Sequence, residues 1–365
     1  MVLDLRLLLQ SRIFTFGEYS THAYGSLRFD GDSLVVGSYL HPRETFYRLI
    51  DRGLEFLCAD GFSVTARLEL VQERPLLFHG STVGLSNCLY LREALAFHPR
   101  NGHPPITLLR PAVLINTVPK SGTYLLQLAF QELGFRPTDL HLGNASLHDN
   151  RNLLPDVGIH RKPQAQEVSL AVDLLPPLLP FGSVTVGHID DSSVLQAFMD
   201  ANVFLLFVVR DLRDVLWSLF RFKLAVVDPL DDADRRWRSC SLPVERFMGF
   251  LVYYWSRDIL HIANCFRTFF AVGDVPVLRY EHLLAGALPE PTQCQLEERL
   301  QGCGGVAAFL AALAAARDAP TSTLSRALPG MPVFTAEEEE HIRRLIHALV
   351  AGTCLAEVNA LFGYH

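Results

Sequence analysis

The sequence predicts an α/β fold in which a parallel sheet carries a P-loop-like turn flanked by helices and is preceded by a small antiparallel β module. Three observations carry that reading. Val113-Leu-Ile115 and Phe204-Leu-Leu-Phe-Val-Val209 are uninterrupted apolar runs of strand length, as expected of strands buried on both faces. The first run breaks into Pro119-Lys-Ser-Gly-Thr123 and then resumes with helical spacing through Leu125, Leu126, Ala129, Phe130 and Leu133 to Gly134, a C-terminal cap. Upstream, Asp30-Gly31 and Asp60-Gly61 each sit between apolar-containing runs, a strong hairpin signal. A β-rich module over residues 1–100 and an α/β domain over 111–365 result, joined by the punctuator-rich stretch Phe97 to Pro105.

Composition bounds the function classes. A chain of 365 residues, 49% hydrophobic and 19% charged, is globular and long enough to bury its own core. Its net charge of −7 argues against a nucleic-acid partner, which would call for a basic domain or stripe, so any bound anion must be held locally. The seven cysteines are scattered without metal-ligand spacing, which reads as reduced thiols and no metal site. The apolar start is interrupted by Asp4 and Arg6 and falls far short of the ~20 residues of a membrane span. With no small-residue cleavage site after it, the expectation is a cytoplasmic protein without a transmembrane segment.

Taken in order, the module should use strands around both Asp-Gly turns and close with strands near Leu68 to Leu70, Leu76 to Phe78 and Cys88 to Leu91. Tyr24, Tyr39, His41, Phe46 and Tyr47 have the chemistry of a sugar-binding face, but aromatic rings also fill small β cores, and that is the preferred reading. After the loop helix, residues 139 to 180 show no regular period, as in a functional loop; His141, His148 and His160 fall there and read first as packing or surface groups. Ser183 to Gly187 is the next strand, with His188 at its carboxyl end and an N-cap region at Asp190 to Ser193. Phe204 to Val209 leads through Arg210 into a helix on which Ser218, eight residues on, can face the same side. Arg213 reads as an ordinary helix-start ion pair. Val244 to Phe270 spaces its apolar residues as one long amphipathic helix, Val275 to Leu284 as a strand and short helix, and Thr335-Ala-Glu-Glu opens the last helix.

The chemistry centres on the Pro-Lys-Ser-Gly-Thr turn. Gly122 lets the backbone approach a ligand, Ser121 and Thr123 offer hydroxyls and amides at the positive end of a helix dipole, and Lys120 adds a mobile full charge. This is not a Walker A loop, which needs two glycines and a Lys directly before the Ser or Thr. The same string would serve a plain strand-to-helix turn with a surface lysine, and the decision rests on the rest of the chain.

Pro119-Lys120-Ser121-Gly122-Thr123 resembles the 5′-phosphosulfate loop of sulfotransferases that use 3′-phosphoadenosine-5′-phosphosulfate (PAPS). That loop usually continues Thr-Trp, where this chain has Tyr124 and Leu125. The resemblance implies that Lys120, Ser121, Gly122, Thr123 and Tyr124 surround the phosphosulfate, with Lys120 also catalytic, and that His188 is the catalytic base. Strand-Arg210-Asp-x-x-Asp-Val with Ser218 is similar to the family's 3′-phosphate segment, and Arg279-Tyr280-Glu281 to its adenine-contacting segment. Arg326, within Thr321 to Gly330, stands where the family has a basic glycine-rich stretch, though the lysine cluster and tryptophan of that stretch are missing. The likeness covers about residues 111 to 350 and implies sulfuryl transfer from PAPS to a hydroxyl or amine.

A looser likeness of the β module to pieces of bacterial polysaccharide-modifying enzymes suggests a carbohydrate or glycoconjugate acceptor, with a small molecule as the other option. Two other readings stay open, a glycan-binding protein with an inactive sulfotransferase-like domain and an atypical nucleotide kinase.

Overall fold

Period-two alternation in the N-terminal region builds a closed eight-stranded antiparallel barrel. The computed structural model describes residues 5–19, 23–31, 34–37, 41–73, 76–96, 110–144, 146–149, 167–169, 172, 175–317 and 334–365. A short helix α1 (Leu5–Gln10) precedes β1 (Arg12–Glu18), β2 (Ala23–Asp30), β3 (Leu34–Gly37), β4 (Phe46–Ile50), β5 (Gly53–Leu57), β6 (Val64–Glu73), β7 (Leu76–Thr82) and β8 (Leu89–Ala96). Gly31 and Gly61 take positive φ, 56° and 75°, in the turns between β2 and β3 and between β5 and β6. Closure comes from β1 pairing with β8, Phe14 opposite Glu93 and Phe16 opposite Leu91. Alternate residues point inward, so Phe14, Phe16, Leu27, Phe29, Leu54, Phe56, Leu68 and Phe78 form one core, with Leu9 of α1 packed into it. Tyr47 belongs to that core, Phe46 is half-buried, and Tyr24 and His41 are exposed. Tyr39 and His160 lie outside the described residues.

The chain clusters into two units, one of Met1–Gly102, Ala145–Leu154 and Pro163–Pro180, the other of His103–Asn144, Pro155–Lys162 and Phe181–His365. Two later segments thus group with the barrel, which a linear division at residue 100 does not contain.

The second unit is built on β9 (Val113–Thr117), followed by α2 (Thr123–Glu132) and β10 (Arg136–Leu142). The short strands β11 (Ser146–Asp149) and β12 (Glu167–Ser169), antiparallel to each other, belong to the first unit. Then come β13 (Ser183–Gly187), α3 (Ser192–Asp200), β14 (Phe204–Val209), α4 (Leu212–Ala225), α5 (Asp232–Arg238), α6 (Pro243–Tyr254), α7 (Leu260–Val272), β15 (Val277–Arg279) and α8 (Tyr280–Ala285). Four helices complete the unit: α9 (Glu290–Leu300), α10 (Gly305–Arg317), α11 (Ala336–Ala351) and α12 (Leu355–Ala360).

Five parallel strands run in the order β10-β13-β9-β14-β15. Every residue of β9, β13 and β14 is buried, as strands covered on both faces require. Leu126, Ala129 and Phe130 of α2 pack on one face with Phe309 and Leu313 of α10, and on the other face Phe207 stacks on Phe269 of α7 at 4.3 Å. Gly134, at φ 82°, ends α2 in a Schellman turn: Phe135 N–H donates to Phe130 and Gly134 N–H to Gln131, at 3.0 and 2.7 Å.

The structure departs from the sequence expectations in two places. Strand β10 runs into, and β11 and β12 lie within, the stretch 139 to 180, where the sequence shows no regular period. The expected long helix from Val244 to Phe270 is divided by a π-turn at Trp255–Ile259. Among the described residues, no single helix is long and apolar enough to cross a membrane.

Candidate active site

Sheet topology decides where the chemistry collects. From β9 the chain passes to β10 and then β13 on one side of it, and from β13 crosses to β14 on the other, so β9 is a switch point with a crevice beyond its carboxyl end. The segments after β9, β13, β14 and β15 carry Lys120 to Thr123, His188, Arg210 and Tyr280. Four sequence-separated candidates therefore meet at one end of one sheet.

The turn after β9 is tight and strained in the sense a ligand loop needs. Val118 N–H donates to the Val208 carbonyl at 2.9 Å, and Ser121 N–H returns to Val118 at 3.1 Å. Lys120 and Gly122 both take positive φ, 70° and 93°, and Gly122 caps α2. A Cβ on Gly122 would lie 2.6 Å from the Tyr280 ring, so a side chain there would displace the tyrosine. The Ser121 hydroxyl is fully buried and has no hydrogen-bond partner, a costly state that an anion would relieve. The Ser121 amide is used within the turn and the Leu125 amide donates to the Gly122 carbonyl at 3.1 Å, which leaves the amides of Gly122 and Thr123 at the start of α2 as the donors. The Thr123 hydroxyl pairs with Thr117 Oγ1 at 2.7 Å, so it braces the loop against β9 instead of facing a ligand.

Lys120 packs its amine against a ring and is not fully charged at neutral pH. Its Nζ sits over the Phe222 ring at 3.8 Å. Burial, with Lys223 and Arg210 adding repulsion, brings its pKa down to about 7. Lys223 is itself held by Asp258 at 2.8 Å and lies over Tyr254.

Arg210 reaches across to the loop, Nη1 donating to the Lys120 carbonyl at 3.3 Å, with its guanidinium over the Tyr280 ring at 4.6 Å. Its Nη2 lies 3.6 Å from Asp214, while the buried Nε has no partner. Asp214, Ser218 and Phe222 succeed one another at four-residue spacing on α4. Phe222 under Lys120 and Asp214 beside Arg210 put Ser218 on the strip that faces the loop. Arg213 forks onto Asp211, the N-cap of α4, at 2.8 and 3.0 Å, the ordinary helix-start pair the sequence suggests. Asp211, Arg213, Asp214, Arg343 and His347 line a neighbouring cleft in which the acids already have arginine partners. Tyr124, on the first turn of α2, is half-buried, and burial pushes its phenol up to about 12. Arg326 lies outside the described residues.

His188 comes directly after β13. Its Nδ1 is 2.7 Å from the Thr117 carbonyl, and a carbonyl only accepts, so Nδ1 carries the proton and Nε2 is the basic nitrogen. Thr117 Oγ1 lies 3.1 Å from the same Nδ1, and the His141 ring of β10 stands 4.5 Å from His188, centroid to centroid. The neighbouring residue is clamped: Asn116 donates to the Ile189 carbonyl at 3.0 Å and accepts from its N–H at 2.8 Å. Motif matching does not single out Asn116 and Thr117, yet polar residues closing an otherwise apolar central strand must find partners, and that is their signal.

The donor set fits an oxyanion. Ser121 Oγ and Arg210 Nε are buried donors without acceptors, and Lys120 directly precedes Ser121 and takes the Arg210 guanidinium on its carbonyl. Among the described residues no group of His, Cys, Asp or Glu could hold a metal.

Residues 110–285 match a family model described as a sulfotransferase domain. No curated protein matches the chain. Among solved structures, the crystal structure of mouse sulfotransferase SULT7A1 complexed with PAP aligns at 11% identity. The alignment covers 70% of this chain and 89% of that one with a TM-score of 0.35, so the assignment rests on the domain match.

Proposed function

We propose, for a chain that belongs to the sulfotransferase family, that it moves a sulfuryl group from PAPS to a hydroxyl or amine of an acceptor, with His188 as general base. One observation carries the reading. At the carboxyl ends of β9, β13 and β14, a cluster of donors without acceptors meets a histidine whose Nδ1 is committed to a backbone carbonyl.

In this reading Ser121 Oγ, the amides of Gly122 and Thr123, and Lys120 hold the phosphosulfate, with Tyr124 beside them. Arg210 and Ser218 hold the 3′-phosphate, and Tyr280 lies against the adenine. His188 Nε2 removes the acceptor proton as the acceptor oxygen or nitrogen bonds to sulfur. The bond from sulfur to the bridging oxygen breaks, and Lys120 stabilises the charge that develops there. A carbohydrate or glycoconjugate acceptor is supported by the β module alone.

Calorimetric titration tests the donor site. 3′,5′-Bisphosphoadenosine should bind selectively over ATP, and Arg210→Ala should weaken it about 10- to 100-fold, the loss of a charge-assisted contact. Preference for ATP would favour a nucleotide kinase, and no binding of either would leave the barrel as the place to look.

A further inference from the structure

The three residues from His188 to Asp190 are held more firmly than a strand-end loop requires. His188 N–H donates to the Leu142 carbonyl at 2.9 Å, and Asn116 holds both sides of Ile189. Asp190 N–H donates to Asn144 Oδ1 at 3.0 Å, and the Asp190 carbonyl accepts from Thr268 Oγ1 at 2.8 Å. The Asp190 carboxylate takes Asn144 Nδ2 on one oxygen at 2.5 Å and His261 Nδ1 on the other at 3.0 Å.

His261 comes from α7, directly after the π-turn that interrupts the long helix. A π-turn inserts a residue into the helical phase and re-aims the side chains beyond it, and such turns recur at functional sites. The other titratable group beside the ring is the fully buried Cys265 thiol, 3.9 Å from Nε2. Burial works against a charge on His261, but the hydrogen bonds and charge interactions with Asp190 and Cys265 together outweigh it and push the imidazole up to about 10. Stability is a weak reason for such a pair, because desolvation offsets most of its attraction and apolar packing would serve a core helix as well. What an apolar pair cannot supply is a fixed direction at one point of the backbone.

We infer that Asp190 and His261 are positioning residues for His188: their ion pair fixes the strand end so that the His188 ring keeps its Nδ1 on the Thr117 carbonyl and its Nε2 toward the acceptor. This rests on the sulfuryl-transfer reading. A misplacement of about 1 Å at a reacting group costs up to ~10²-fold.

The test uses the full chain with Asp190→Asn, His261→Gln and the double variant. Each single variant should lower kcat about 10- to 100-fold, with bisphosphoadenosine affinity unchanged within about twofold. The double variant should be no worse than either single one, since both remove the same interaction. Imidazole 15N shifts give a readout independent of turnover: His188 should show a fixed Nδ1–H tautomer in the wild type and an averaged one in the variants. Unchanged His188 shifts in both single variants, losses that add in the double variant, or an equal loss of nucleotide binding would overturn the inference. If the wild type binds no bisphosphoadenosine and transfers no sulfuryl group, the functional reading fails while the shifts still decide the positioning role. Should Asp190→Asn not fold, His261→Gln and Thr268→Val carry the same test.

Discussion

Nucleotide binding should draw a proton onto Lys120. With its pKa brought down to about 7, the amine is roughly nine-tenths neutral at pH 8 before a ligand arrives. A phosphate dianion placed against it favours the charged form and returns the pKa toward the ordinary ~10.4. At pH 8 the nucleotide phosphates are already dianionic, since their second pKa is about 6, so the protein side dominates. Binding at pH 8 should therefore take up roughly 0.9 proton, and affinity should fall about fivefold from pH 7 to 8 and about tenfold from 8 to 9. The assay is calorimetry of 3′,5′-bisphosphoadenosine binding in buffers of different ionisation enthalpy, where the slope gives the protons exchanged. In Lys120→Arg, permanently charged, the slope should collapse toward zero. A flat response in the wild type, or the same slope in Lys120→Arg, refutes the argument that burial, Lys223 and Arg210 hold this lysine near neutrality.

Two further outcomes rest on the same geometry. Gly122→Ala places a Cβ 2.6 Å from Tyr280 at a φ of 93°, and should cost about 1–3 kcal/mol in urea denaturation while weakening nucleotide binding; a neutral effect would mean that the loop is not built around Tyr280. Stability against pH should respond oppositely in two variants. Lys120 binds its proton less well folded than unfolded, so its contribution improves as pH rises through 7; His261 binds its proton better folded, so its contribution is lost as pH rises toward 10. Thermal melts of Lys120→Met should thus decline more steeply than wild type from pH 7 to 10, and those of His261→Gln less steeply; parallel curves for all three contradict both shifts.

Much of the fold and site is legible in the residues. The buried strands β9 and β14 show apolar runs at Val113–Ile115 and Phe204–Val209 because both faces of each are covered, and the Asp-Gly turns announce two hairpins of the barrel. Glycine at 122 signals a ligand loop through local chemistry, and arginine at 210 stands out through the likeness of its segment to the 3′-phosphate segment of sulfotransferases. What escapes is set by distance along the chain. Strand β10 hides because Pro137, Thr138 and Asp139 interrupt it, with Asp139 at positive φ and a register shift against β13. Barrel closure depends on β1 meeting β8, a pairing that no window shows. The charge state of Lys120 is written in residues about a hundred positions away, and the π-turn that delivers His261 has no local signature. Asn116 and Thr117 are visible as polar residues in an apolar strand, and asking where their hydrogen bonds go leads to His188.

The most direct measurement is sulfuryl transfer from labelled PAPS to a panel of sugar, phenol and amine acceptors, run on wild type and on His188→Ala. Labelled product from the wild type, with kcat in His188→Ala down about 10²- to 10⁴-fold and bisphosphoadenosine affinity retained, is the predicted result. Full turnover in His188→Ala, or a wild type that binds the nucleotide and transfers nothing, would contradict the account.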